Sequence, residues 1–181
     1  MGRRRLVLVT GMTGSGKTTL CGIMRESGLR LLTMGDVIRE LARRGGVEPT
    51  PENLGRLATE IRGEGADAVA VRCMEILRSM PEGLTVVDGI RSLAEIDAFK
   101  NSFDVILVAV HASPLSRFKR LTKRGRSDDP VTWEEFRERD MRELGFGIGD
   151  AIAMADAMII NDDGFDQLRA SFEGLMERLG V

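Results

Sequence analysis

The segment Gly11-Met12-Thr13-Gly14-Ser15-Gly16-Lys17-Thr18 constrains the fold more than any other part of the 181-residue chain. It follows Leu6-Val7-Leu8-Val9, an apolar, β-branched run with the character of a buried strand, and it opens a helix-like stretch from Lys17 to Glu26. A strand, a glycine-rich turn and a helix start gather several backbone N–H groups around one point, which the helix dipole also faces. Such a point attracts phosphate. Lys17 is placed to reach β- and γ-phosphates, and the Thr18 hydroxyl to ligate Mg²⁺. The alternative is a glycine-rich turn that binds nothing.

The rest of the chain agrees with an α/β protein. Strands are expected at Leu6–Thr10, Leu29–Thr33, Leu84–Asp88, Val105–Val110 and Ala157–Ile160, with helical segments between them. The runs Leu84–Val87 and Val105–Val110 are apolar without alternation, as strands buried on both faces should be, which points to a parallel sheet covered on both sides. Residues 36–80 read as a long helical insert, in which Thr50 caps a helix carrying Pro51 in its first turn. Thr132-Trp133-Glu134-Glu135 is a capping box for a later helix that stops at Gly145. Gly145, Gly147 and Gly149 mimic a dinucleotide fingerprint, but they follow a helix rather than a strand.

Composition narrows the class. With 26 basic and 28 acidic residues the net charge is −2, a balance that calls for neither nucleic acid nor an anionic membrane. No apolar run approaches the ~20 residues that span a bilayer. Arg3-Arg4-Arg5 precedes an apolar run too short for a signal peptide, so a cytoplasmic protein is expected. Cys21 and Cys73 lie far apart in helical stretches and read as buried small hydrophobes.

Further groups suit phosphate chemistry. Asp88 ends the third strand, at the edge of an α/β sheet where ligands bind, and can hold Mg²⁺ through water; the alternative is a turn-forming Asp-Gly pair. Arg39 opens the insert and Arg91 follows Asp88 by three residues. Six of the ten residues from Arg117 to Arg126 are basic, and Arg117, Arg120 and Arg124 share one helical face. An acidic helix follows. Such a segment suits a hinged flap whose charges pair internally when open and grip phosphate when closed, although a solvated basic face is the commoner explanation. The single histidine, His111, sits just after the fourth strand and reads as structural, and Trp133 as packing.

Gly11–Thr18, Gly35-Asp36-Val37-Ile38-Arg39, Asp88-Gly89-Ile90-Arg91, Arg124-Gly125-Arg126-Ser127-Asp128-Asp129 and Arg137 together resemble the nucleoside monophosphate kinases of the adenylate and UMP/CMP type. The chain is also similar to an archaeal group of small kinase-like proteins related to dephospho-CoA kinase. In those kinases the last strand and purine-facing loop look like Ala155–Gly164 here. The resemblance implies a P-loop NTPase fold in one domain: a five-stranded parallel sheet (1–35, 81–116 and 146–181), an acceptor-binding insert (36–80) and a lid (117–145). It implies ATP and Mg²⁺ as cofactors, and a small-molecule nucleotide as the phosphoryl acceptor. By position, Gly11, Met12, Thr13, Gly14, Ser15, Gly16, Lys17 and Thr18 would cradle ATP, with Arg120 facing the donor. Asn161 and Gly164 would border its adenine, mainly through backbone. Arg39 and Arg91 would hold the acceptor phosphate. Arg124, Arg126 and Arg137 would close over the transferring group, oriented by Asp128 and Asp129. An ionised phosphate acceptor needs no general base, which suits a set rich in arginine and poor in nucleophiles.

The pattern departs from adenylate kinases at the acceptor base. Met34 stands where they carry Thr, Glu95 where they carry Gln, and Ile90 where they carry Pro. An ionised Glu95 only accepts hydrogen bonds, so it would favour a base offering N–H groups, such as cytosine or guanine; alternatively it lies on a helix surface. Asp36 either caps a helix beginning at Val37 or, as in dephospho-CoA kinases, acts as base toward a sugar hydroxyl. An ATPase acting on a macromolecular partner is the reading from another class.

Overall fold

The computed structural model describes residues 3–126 and 129–180, the side chains of 51, 52 and 179 excepted. Asp128, expected to orient lid arginines, lies outside the described residues. Five strands, β1 (Arg5–Thr10), β2 (Arg30–Thr33), β3 (Thr85–Ile90), β4 (Asp104–His111) and β5 (Ala157–Ile160), form one sheet of order β2-β3-β1-β4-β5. Every pairing is parallel. The expected strand positions hold to within two residues at each end.

The absence of alternation in the central strands has a direct cause: both faces are covered. Leu6 and Leu8 of β1, with Val87 and Leu107, pack under α2 (Met34–Arg44), α4 (Ala68–Ser79), α5 (Leu93–Ser102) and α8 (Ile148–Ala153). Val7 and Val9, with Val86 and Val108, pack against α1 (Lys17–Glu26) and α9 (Phe165–Leu179). Successive side chains of a strand point to opposite faces, so a strand in the middle layer must be apolar at every position. Cys21 and Cys73 are free thiols in these two cores, and burial raises both pKa values, that of Cys73 to about 12.

The insert is α2, α3 (Pro51–Glu64) and α4. Thr50 caps α3 by accepting from the Asn53 N–H at 3.2 Å, as its sequence context predicts. α2 begins earlier than expected. Its N-cap is Thr33, whose hydroxyl accepts from the Asp36 N–H at 3.0 Å, so Asp36 is the third residue of the helix and not its cap. α6 (Pro114–Arg124) and α7 (Trp133–Gly145) lie beyond β4. α7 carries the expected capping box: Thr132 Oγ1 accepts from the Glu135 N–H, and Glu135 Oε2 from the Thr132 N–H. Trp133 packs edge-on to Phe118, ring centroids 5.4 Å apart, and beside Phe136. No described helix is long and apolar enough to cross a membrane.

Candidate active site

The loop after β1 sits at the carboxyl ends of the strands, where an open parallel sheet leaves a crevice. Gly11, Gly14 and Gly16 all have positive φ. A Cβ on Gly11 would overlap the Val110 carbonyl oxygen, and one on Gly16 would overlap the Asn161 amide nitrogen. The glycines are therefore required twice, by backbone conformation and by the neighbouring chain. Gly11→Ala should cost at least ~2 kcal/mol, seen by calorimetry as a Tm lowered by roughly 4–8 °C.

Lys17 begins α1 and folds back over the loop, donating to the Gly11 carbonyl at 2.6 Å and the Met12 carbonyl at 3.1 Å. Burial pulls its pKa below the ordinary lysine value, while the charges of Asp88 and Glu143 oppose that shift. Asp88 is followed by a bulge. Val9 pairs with Asp88 but Thr10 with Ile90, so Gly89, at φ 101°, is the extra residue. Burial raises the Asp88 pKa, against the pull of Lys17, and its Oδ1 is buried with no hydrogen-bond partner. A partly desolvated carboxylate with one unpartnered oxygen, beside a half-buried ammonium and a glycine cradle, fits a hydrated Mg²⁺ on a nucleotide phosphate. Thr18, exposed on the first turn of α1, would supply the second ligand.

Asp88→Asn separates site chemistry from stability. A raised folded pKa means that the carboxyl's contribution to stability is largest below the ordinary aspartate value and is lost as pH rises through the folded one. At neutral pH the buried charge therefore weakens the ligand-free protein. The variant should melt at a higher temperature than wild type near pH 7, with the gain vanishing at low pH. It should also lose most of the Tm increase that Mg²⁺ and ATP give the wild type.

Arg120 and Asn161 close one side of the loop. Arg120 donates to the Asn161 carbonyl at 2.6 Å, and the Asn161 side chain donates to the Ser15 carbonyl at 2.8 Å. Asn161 thus acts through its amide and not only through backbone. Gly164 precedes α9, and Asp162 between them accepts from Ser113. His111 contributes its carbonyl to the Asn161 N–H at 2.8 Å; its exposed ring has no such role.

The other side is closed by α7, through contacts the sequence reading missed. Arg117 is buried, forms a two-pronged pair with Asp140 at 2.8 and 2.5 Å, donates to the Thr13 carbonyl at 3.2 Å and stacks over Phe136 at 4.9 Å. Thr13 donates to Glu143 at 2.6 Å. Phe136, Asp140 and Glu143 lie at i, i+4 and i+7, so one face of α7 seats on α6 and the loop. Arg124 pairs with Asp129, which also accepts from the Arg126 N–H at 3.0 Å and lies 3.8 Å from Arg139. Of the arginines expected to grip the transferring phosphoryl, Arg124 thus faces Asp129. Arg126 and Arg137 are exposed, and among the described residues neither side chain is hydrogen-bonded to the loop.

A cleft of about 220 Å³ separates the insert from the sheet. Met34, Ile38, Leu54, Ala58 and Val69 form its apolar wall, and Arg39, Arg62 and Arg91 its polar groups. Arg39 is exposed and pairs with Asp36, itself exposed, at the rim. Glu95 does not lie on a helix surface. It is fully buried, and its oxygens accept from the Arg91 N–H at 2.7 Å and the Arg62 guanidinium at 3.2 Å. Ser92 caps the same helix by accepting from the Glu95 N–H, which draws the Glu95 side chain back over the helix start. Arg62 escaped sequence reading because its partner lies 33 positions away, on another element.

A glycine cradle at a helix start, a lysine folded over it, and a parallel sheet of order β2-β3-β1-β4-β5 define a P-loop protein with the kinase fold. Solved structures agree. A shikimate kinase from Bacteroides thetaiotaomicron superposes with a TM-score of 0.68 at 18% identity, covering 97% of this chain and 98% of that one. TT1252 from Thermus thermophilus gives 0.66 at 17%, covering 98% of both chains. Residues 7–142 match a family model described as an AAA domain. The chain belongs to the UPF0200 protein family. It is 49% identical to a member from Hyperthermus butylicus across 97% of this chain and 95% of that one, and 41% identical to one from Methanocaldococcus jannaschii across 96% and 90%.

Proposed function

We propose that this protein is an ATP-dependent small-molecule kinase that transfers the γ-phosphoryl group to a nucleotide acceptor, a nucleoside monophosphate. Arg91 carries the reading. Its residue lines the cleft beside the insert and follows Asp88 by three positions, so one guanidinium would serve donor and acceptor sites at once. In-line transfer between two phosphates places negative charge between those sites, which Lys17 and Arg91 would neutralise. Thr18, and Asp88 through water, would hold Mg²⁺, which neutralises charge on the donor phosphates. No side chain lining the described cleft can act as a general base, which suits an acceptor phosphate that is already ionised. Asn161 and Gly164 would border the donor adenine, Arg39 would steady the acceptor phosphate, and Arg124, Arg126 and Arg137 would be recruited as α7 moves.

A hydroxyl acceptor is the second reading. The unpartnered Asp88 oxygen favours it, since a desolvated carboxylate with a raised pKa can take a hydroxyl proton. Asp36 is less suited to that role, because Arg39 already engages it. Mass spectrometry of products from ATP, Mg²⁺ and each candidate acceptor decides between them. A nucleoside diphosphate formed from one monophosphate supports the first reading. A phosphorylated alcohol such as dephospho-CoA supports the second. ADP and free phosphate at the same rate in every tube rejects both in favour of an ATPase.

A further inference from the structure

We infer that β5 is a dimerisation edge: it pairs antiparallel with β5 of a second copy of this chain, joining two five-stranded sheets into one. β5 ends the sheet order β2-β3-β1-β4-β5 and, among the described residues, pairs with β4 alone. One row of its backbone N–H and C=O groups therefore meets no strand. Such a row is a template for another strand, and proteins usually blunt it with charges, proline or a bulge. β5, Ala157-Met158-Ile159-Ile160, has none of these, and its register with β4 runs without a shift. Met158 is 48% exposed and Ile160 49%, and Met154 just before the strand is exposed as well. The opposite edge is built differently. All four residues of β2 are half-buried, and Arg30 at its start donates to the Pro81 carbonyl at 3.1 Å.

The charges beside β5 select a second copy as its partner. A groove of about 390 Å³ runs along the strand and α9. Asp163 borders it just before α9 begins, and Arg178 borders it in the last turn of that helix. The two charges thus stand a helix length apart, roughly 20 Å. Both residues are exposed, and among the described residues neither is in an ion pair; Arg178 donates to the Gly174 carbonyl of its own helix. A two-fold axis across the edge turns the groove end for end, which is what antiparallel pairing of two identical strands requires. Asp163 then comes to the end that holds the partner's Arg178, and the contact is made twice. Between the charges, α9 lines the groove with Gln167, Ala170, Ser171 and Gly174, none of them charged or bulky. Met158 and Ile160 of the two copies can therefore meet across the strand pair. A foreign peptide would find the same backbone row, but opposite charges at opposite ends fit this groove to its own copy.

Sedimentation equilibrium of the intact protein tests this. Wild type should show twice the chain mass at about 100 µM. Ile160→Lys places a charge on the edge and should raise the dimer Kd at least about tenfold. Asp163→Arg and Arg178→Asp should each weaken the dimer about tenfold, because each variant puts like charges together at both ends. An equimolar mixture of those two single variants should dimerise as wild type does, since both contacts of the mixed dimer again join opposite charges. Circular dichroism verifies that each variant folds. The amides of Ala157–Ile160 should exchange hydrogen more slowly in wild type than in Arg178→Asp, at a concentration where that variant is monomeric. A monomeric wild type at about 100 µM overturns the inference. So does a dimer that Ile160→Lys leaves intact, a mixture no tighter than either variant alone, or equal exchange of the β5 amides.

Discussion

Lys17→Ala should lower kcat/KM for phosphoryl transfer about a thousandfold or more, with Tm moved by no more than about 5 °C. The two effects separate because Lys17 works against folding and for chemistry. In the ligand-free protein it is half-buried, desolvation depresses its pKa, and its hydrogen bonds go to the Gly11 and Met12 carbonyls. Loss of those bonds is offset by removal of a charge that burial disfavours. In the transition state no other side chain on the loop replaces a positive charge facing the donor phosphates. Product formation by mass spectrometry, beside a melting curve, measures both. Wild-type turnover in the variant would remove the loop from the active site.

The second large effect is expected at Arg117, which does not line the cleft beside the insert. Arg117→Ala should cost about 3 kcal/mol, because it strands Asp140 in a mostly buried position and removes the cation over Phe136. For a chain of this size that is a fall in Tm of roughly 6–12 °C. Turnover should fall as well, since the same guanidinium holds the Thr13 carbonyl and docks α7 on the phosphate loop. A double variant, Arg117→Met with Asp140→Leu, distinguishes the two roles. Apolar replacement of a buried pair restores stability, so Tm should recover while turnover stays low. If turnover recovers with Tm, the pair serves folding alone.

Lys17 and Arg117 differ in how much of their setting lies close in the sequence. Lys17 is legible in the sequence because its partners are its neighbours: one strand, one turn and one helix within some twenty residues bring the site together. The same holds for Thr18, for the Thr132–Glu135 capping box, and for the apolar runs of β1 and β4. Asp88 and Arg91 could be placed at the crevice because strand ends in a parallel sheet face it. The sequence did not tell that a bulge at Gly89 lies between them.

Arg117, Arg62 and Glu95 are another matter. In the sequence Arg117 belongs to a basic face shared with Arg120 and Arg124, and periodicity treats the three alike. In the structure they go to Asp140, Asn161 and Asp129 respectively. Glu95 and Arg62 sit on different helices with no motif connecting them. Local patterns therefore determined the strand–loop–helix, the sheet class and the residues of the glycine-rich loop, since those depend on dihedral preference, side-chain period and backbone N–H groups close in sequence. Tertiary structure alone decided which charges are paired and which are buried. A charged side chain has no fixed role until packing supplies its partner and removes its water.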